Sequence, residues 1–201
     1  MKKIIGLGLV LLLCLTSKAQ ETKLWTEADR KYLLDNLVRS RDELVKETER
    51  LTEKQWRFKE SPDRWSINEV VEHIGYWEIL LQHEIANSLE AGLQPERHKT
   101  VRHDSTFVNF IMQYKPHYSL EYTKPFSYTI PMGLNTLASN RTWLLKMRNE
   151  SIEYLKIASE DLRLYFNSYG SVHQIYIYVF GHMDRHLRQI RKVKQHANYP
   201  K

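Results

Sequence analysis

What most constrains this chain is the helical period of its apolar residues, and the clearest case lies near the end. Over residues 172–193, Val172, Ile175, Val179, Ile190 and Val193 recur at spacings of three, four and eleven, the signature of one buried helical face. His182 and His186 fall on that same face, where aliphatic residues are expected. Four residues make about one turn, so the two imidazoles stack along one side of the helix.

Three further stretches carry the same period. The first helix is predicted over 27–51, with Thr26 and Asp29 as a cap and Leu34, Leu37, Val38, Leu44, Val45 and Leu51 as its apolar stripe. The second starts after Ser66, which forms a capping box with Glu69, and runs to about Ala91 on Ile67, Val70, Val71, Ile74, Trp77, Leu81, Ile85 and Leu89. His73 lies within that stripe. The third is predicted from Thr136 to Ala158, with Trp143, Leu144, Met147, Ile152 and Leu155 inside. The fourth follows Tyr169-Gly170-Ser171 and runs to about Gln195. No convincing strand alternation occurs, so the expected fold class is all-α, a four-helix bundle.

Between the second and third helices lie residues 92–134, with Pro95, Pro116, Pro125, Pro131 and Gly133. A connection this long is uncommon in a compact domain and is often functional. It is long enough to cross the bundle, so the two helices can run parallel. A short helix is expected near 106–114. His98, His103 and His117, with Tyr114, Tyr118, Tyr122 and Tyr128, read as an amphipathic cover over the bundle end rather than a polar lid.

The first nineteen residues read as a cleavable leader. Lys2 and Lys3 precede an apolar run, Ile4 to Leu15, that is short for a membrane span, and Ser17-Lys18-Ala19 offers small residues for a signal peptidase. Cleavage after Ala19 leaves one domain over 20–201, exported to the periplasm or secreted. A lipoprotein reading through Cys14 is weaker, because Leu13 stands where a small residue is needed. Removing the leader takes away the single cysteine, which excludes thiol chemistry and disulfides from the mature chain. It also removes Lys2, Lys3 and Lys18, leaving 27 basic residues against 24 acidic ones, so net charge falls from +6 to +3. No basic stripe argues for nucleic acid, and no later segment is apolar enough to span a membrane. A homodimer through one helix face is compatible with the pattern.

Two histidines inside an apolar stripe need partners, because an imidazole buried without one is costly. Hydrogen bonds to tyrosines or carboxylates across the bundle are one answer. Ligation of a metal ion is the other, and His73 on a second inner face favours it. Three neutral imidazoles would leave at least one open position, as in catalytic zinc sites; nickel and iron also suit imidazole. Glu69 lies one turn before His73 and is a weak candidate for a general base, although its capping-box role already accounts for it. Tyr178 and Gln189 flank the pair and are candidates to line a cavity. Asp184 and Arg185 are expected to point away, and Trp56, Trp65 and Trp77 to serve as core or cap residues.

The stretch Trp65-Ser66-Ile67-Asn68-Glu69-Val70-Val71-Glu72-His73-Ile74, then Gly170, then His182-Met183-Asp184-Arg185-His186-Leu187-Arg188-Gln189-Ile190, and finally Asn198-Tyr199-Pro200, resembles the DinB/YfiT-like superfamily. The resemblance covers most of the mature chain. It implies a bundle with a long link between helices 2 and 3, and a divalent metal held by His73, His182 and His186. Zinc is the first expectation. Relatives include thiol-dependent transferases and isomerases and proteins described as hydrolases. Since low-molecular-weight thiols are chiefly cytosolic, export points away from a thiol-dependent S-transferase. The reading that follows is a metal-dependent, hydrolase-like enzyme acting on a small molecule. The alternatives are a non-catalytic metal- or ligand-binding bundle and a purely structural bundle with satisfied core histidines.

Overall fold

The computed structural model describes residues 23–112 and 129–201. The proposed leader, with Cys14, lies outside them, as do Tyr114, His117, Tyr118, Tyr122 and Tyr128. Among the described residues the structure is all-helical, apart from an isolated bridge between Phe166 and Ser171. Four long helices carry it: α1 (Glu27–Thr48), α3 (Ile67–Glu90), α5 (Leu137–Ile157) and α6 (Val172–Lys194). Two short ones, α2 (Glu53–Arg57) and α4 (Asp104–Ile111), and a 3-10 turn over Pro95–Thr100 lie in the connections.

Side-chain caps set the helix starts. Thr26, Ser66 and Ser171 each accept from the amide three residues on, and Asp29, Glu69 and Gln174 return the bond. These reciprocal pairs satisfy amides that have no partner inside the helix. The same device starts α2, where Thr52 pairs with Gln55. That Thr-x-x-Gln signal ends the first helical pattern early: α1 stops at Thr48, not at Leu51.

The buried face of α1 is rotated from the expected stripe. Leu33, Leu37, Ser40, Leu44 and Thr48 are buried, whereas Leu34 and Val38 are only partly so. Ser40 and Thr48 can enter because each hydroxyl donates to a carbonyl of its own helix, Leu37 at 3.3 Å and Leu44 at 2.7 Å. Such back-bonding hides a small polar group from an apolar surround.

Contacts fix the helix directions. Tyr32 meets Phe180, Arg39 meets Asp184 and Glu47 meets Lys194, so α1 and α6 run parallel. Asn68 meets Asn140, Glu78 meets Arg148 and Gln82 meets Ser151, so α3 and α5 also run parallel. His73 lies beside His186, and Trp77 beside Tyr178, so α3 and α6 are antiparallel. Where α3 passes α5, a Cβ on Gly75 would stand 2.6 Å from the Trp143 ring, so glycine permits the close approach.

The core has two apolar clusters. One gathers Leu33, Leu37, Leu81, Ile85, Leu155, Ile175 and Val179; the other gathers Leu44, Val70, Val71, Ile74, Leu144, Met183 and Leu187. Between them lies a buried ion pair. Arg148 donates to both oxygens of Glu78, to Ser40 Oγ at 2.8 Å and to the carbonyls of Leu37 and Val179. One guanidinium thus joins all four long helices. No helix among the described residues is long and apolar enough to cross a membrane.

Candidate metal centre

The site is built on α3 and α6. His73 comes from the second turn of α3, and His182 and His186 stand one turn apart on α6. Burial is nearly complete, with exposures of 8%, 6% and 6%. One ligating nitrogen from each ring lies within 4.8 Å of the other two. Ring centroids are 5.2 Å apart for His73 and His182, 4.8 Å for His73 and His186, and 4.5 Å for His182 and His186. The sequence-predicted trio therefore converges.

Neighbouring groups orient two of the rings. His73 Nδ1 lies 2.6 Å from the carbonyl of Thr129. A carbonyl only accepts, so Nδ1 carries the proton and Nε2 keeps its lone pair. His186 Nδ1 lies 2.8 Å from Gln189 Oε1, which likewise leaves its Nε2 facing inward. That Nε2 is 3.1 Å from His182 Nε2. Two lone pairs at that distance repel unless a proton or a cation lies between them. Nitrogens on one tetrahedral zinc are ~3.3 Å apart, so the donor set and its spacing fit a single divalent ion with modest adjustment of the His73 ring. Burial pushes the His73 imidazole down to about 4, the charge of Arg185 acts the same way, and the Thr129 bond only partly offsets them. The ring is neutral at pH 7, the form that ligates.

The segment after the undescribed part of the link is clamped to the same helix. Glu72, buried next to His73, accepts from the Gly133 amide at 2.8 Å and from the Tyr76 hydroxyl at 2.8 Å. Together with the Thr129 bond, this places residues 129–133 against the site. The Thr129 carbonyl carries no side-chain signal, so a sequence offers no means of finding it.

Glu69 has its carboxylate engaged elsewhere. One oxygen takes Lys59 Nζ at 2.7 Å and the other takes the Ser66 amide and hydroxyl. It is not among the cavity-lining residues. Asp184 pairs with Arg39 of α1 at 2.6 Å, a helix-neighbour contact as expected.

A cavity of about 770 Å³ opens onto the trio. Tyr178 and Gln189 line it, as anticipated, but one other expectation needs correction. Arg185 lines the cavity instead of pointing away, because positions 178, 182, 185, 189 and 192 share one face of α6. Trp65 and Trp77 pack against the core, as expected, and in addition line the cavity and flank the histidines, at 4.7 Å from the His73 ring and 5.2 Å from the His182 ring. Trp56, by contrast, is a core residue. The described part of the link contributes Arg97, Arg102, Phe107 and Phe110 to the wall. His103 instead caps α4 by accepting from the Ser105 amide, and His98 lies in the 3-10 turn.

The comparisons agree with this architecture. Among solved structures, the chain is similar to YfiT from Bacillus subtilis, described as a probable metal-dependent hydrolase with an unusual four-helix bundle topology. That match has a TM-score of 0.51 and 9% identity over 87% of this chain and 91% of that one, a likeness of fold. A search of curated proteins finds no match. A family model of the DinB superfamily matches residues 36–190, a span that holds all three histidines and all four long helices but for the ends of α1 and α6. The chain belongs to the DinB superfamily.

Proposed function

We propose that this chain is an exported metal-dependent enzyme, hydrolase-like in chemistry, that acts on a small molecule at the His73–His182–His186 site. The observation that carries the reading is the donor set: three buried imidazole nitrogens within 4.8 Å, two of the rings oriented through their Nδ1 atoms. When bound, a divalent ion supplies Lewis-acid polarisation of a substrate oxygen and acidifies water, which suits hydrolysis without a further cofactor. Zinc is the first candidate, because it accepts a three-imidazole shell with one open position.

The remaining residues have definite tasks in this reading. Thr129 and Gln189 hold the rings in the ligating tautomer. Trp65 and Trp77 exclude water from two sides of the trio. Burial of Tyr178 pushes its phenol well above its usual range, so it stays protonated and can donate to a bound molecule. The link between α3 and α5 acts as a long crossover whose described parts wall the cavity. Export rests on residues 1–19, with the mature domain spanning 20–201.

The test is elemental analysis of the tag-free protein beside a melt with and without chelator. The expected result is close to one zinc, nickel or iron per chain, lost in the His182→Ala/His186→Ala double variant, with a lower Tm after chelation because a ligand of the native state alone stabilises it. A native protein that is metal-free, takes up none on dialysis and melts unchanged in chelator overturns the reading. Metal-dependent turnover on ester, amide and phosphate panels then separates an enzyme from a binding bundle.

A further inference from the structure

The cavity is more basic than the chain. Arg64, Arg97, Arg102, Arg185 and Lys192 line it, against the acidic Glu60 and Asp63. The two acids sit together on the loop between α2 and α3, Asp63 exposed and Glu60 half-buried. The five cations come from that loop, the link and α6, so they reach the cavity from three parts of the chain.

Two of these arginines are half-buried. Arg97 is half-buried and held by neutral acceptors, Gln94 Oε1 at 3.0 Å and the Asn167 carbonyl at 2.7 Å, with its guanidinium 5.0 Å from the Phe166 ring centroid. Those bonds fix its position without cancelling its charge. Arg185, also half-buried, lies next in sequence to His186 on the face of α6 that lines the cavity.

The other component is aromatic. Trp77 stacks on Tyr178 at 5.3 Å and 26°, and Tyr178 on His182 at 5.7 Å and 24°. Phe107, Phe110 and Tyr169 extend this wall. A flat apolar body can lie along such rings, and a cavity of this size encloses most of a small organic molecule.

We propose that the cavity selects an organic anion: a flat, apolar body lies against the Trp77–Tyr178 wall, and a carboxylate or phosphate group is met by Arg97 and Arg185. A guanidinium presents parallel N–H donors that match either oxyanion, and a partly buried site screens the attraction less than water does. The inference rests on the metal reading only in taking the bound molecule as the one acted upon.

Calorimetry on the tag-free full chain tests it, with 2-naphthoate, 2-naphthyl phosphate and neutral 2-naphthamide as probes, in metal-loaded and chelator-treated protein. At least one anion is expected to bind ~10-fold more tightly than the amide at low salt, with the gap narrowing at high salt. Whichever anion wins identifies the oxyanion. Arg97→Gln and Arg185→Gln should each remove most of that preference by weakening anion binding more than amide binding, while Arg185→Lys retains part of it; circular dichroism melts verify that the variants fold. Equal affinity for anion and amide overturns the proposal. So does an anion preference that survives both glutamine variants, or one that disappears on chelation alone while those variants keep it, since the ion would then be the only anion acceptor. If no metal is taken up, the metal reading fails by itself and the arginine variants still decide this one.

Discussion

Arg148 and Glu78 meet through two parallel bonds, 2.6 Å from Nε and 2.9 Å from Nη2, with side-chain exposures of 0% and 2%. Neither charge reaches water, so each depends on the other. Removing one partner of a buried pair costs ~3–5 kcal/mol, because the survivor is left charged in a low-dielectric interior. Glu78→Leu or Arg148→Met alone is therefore expected to lower unfolding free energy in urea by that amount. The Arg148→Met/Glu78→Leu double variant should recover much of the loss. Recovery will be incomplete, since the Leu37 and Val179 carbonyls and the Ser40 hydroxyl lose their donor. A double variant as unstable as the worse single one would contradict this account.

Gln189 is expected to matter to metal without touching it. Its Oε1 accepts from His186 Nδ1, and removal of such an outer partner typically lowers metal affinity ~10–100-fold. Gln189→Leu should weaken zinc binding within that range in a competition titration with a chromophoric chelator, and Gln189→Glu should retain or strengthen it. The apo-protein Tm should change little for either variant, because the side chain is half-buried at the cavity wall. Unchanged zinc affinity in Gln189→Leu would remove Gln189 from the centre.

Much of this centre is legible from sequence, for physical reasons. A histidine at a core position of a helical stripe violates the period in a way that can be counted, and helix geometry alone aligns His182 with His186. The helix starts are equally legible, because Ser66/Glu69 and Thr26/Asp29 act locally. Contributions from the third dimension are not. Arg185 looks like a surface residue between two histidines until α3 and the link enclose that side of α6. Trp65 and Trp77 satisfy the apolar pattern whether they face a core or a cavity. The turn of α1 that buries Ser40 presents its hydroxyl to Arg148, a donor that arrives from 108 residues away. Composition likewise hides the Arg148–Glu78 pair, since a buried charge and a solvated one are the same letter.

Acid should loosen one end of the bundle first. Arg163 bridges Asp29 and Asp104 at 2.8 and 2.9 Å, and Asp104 also meets the buried His173 at 3.3 Å. Burial by itself raises the Asp29 carboxyl, but bonds from Arg163 and the Thr26 amide outweigh it and hold it at about 2. At Asp104 burial is again opposed, by bonds from His173 and Arg163 that hold the carboxyl well below its usual range. Both folded-state values lie below the unfolded value, so the folded state binds fewer protons and stability rises with pH through this window. The contribution is complete above ~4, the unfolded aspartate value, and for Asp29 is lost as pH falls toward 2. Urea midpoints measured from pH 5 to pH 2 should fall steeply in the wild type and less steeply in Asp29→Asn. Parallel curves would show that this cluster does not govern acid stability.

Gly170 is expected to resist any side chain. Its φ of +150° is one that residues with a Cβ seldom adopt, and an added Cβ would stand 2.4 Å from Gln174 Oε1. That oxygen accepts from the Ser171 amide in the capping box that starts α6, while Gln174 Nε2 donates to the Arg102 carbonyl at 2.6 Å and to Asp104 at 3.0 Å. A methyl group at this position therefore strains the backbone and displaces a side chain joining the α6 cap to the cavity wall. Strained backbone of this kind costs ~1–3 kcal/mol, and loss of a cap ~1 kcal/mol more. Gly170→Ala should lower unfolding free energy by ~2–4 kcal/mol on these grounds. Gln174→Ala, which removes the cap partner and leaves the glycine, should cost less. Hydrogen exchange should report faster opening at the first turn of α6 in both variants, with the amides around His186, further along the helix, protected as before. A Gly170→Ala variant as stable as wild type would show that the turn can take another backbone conformation.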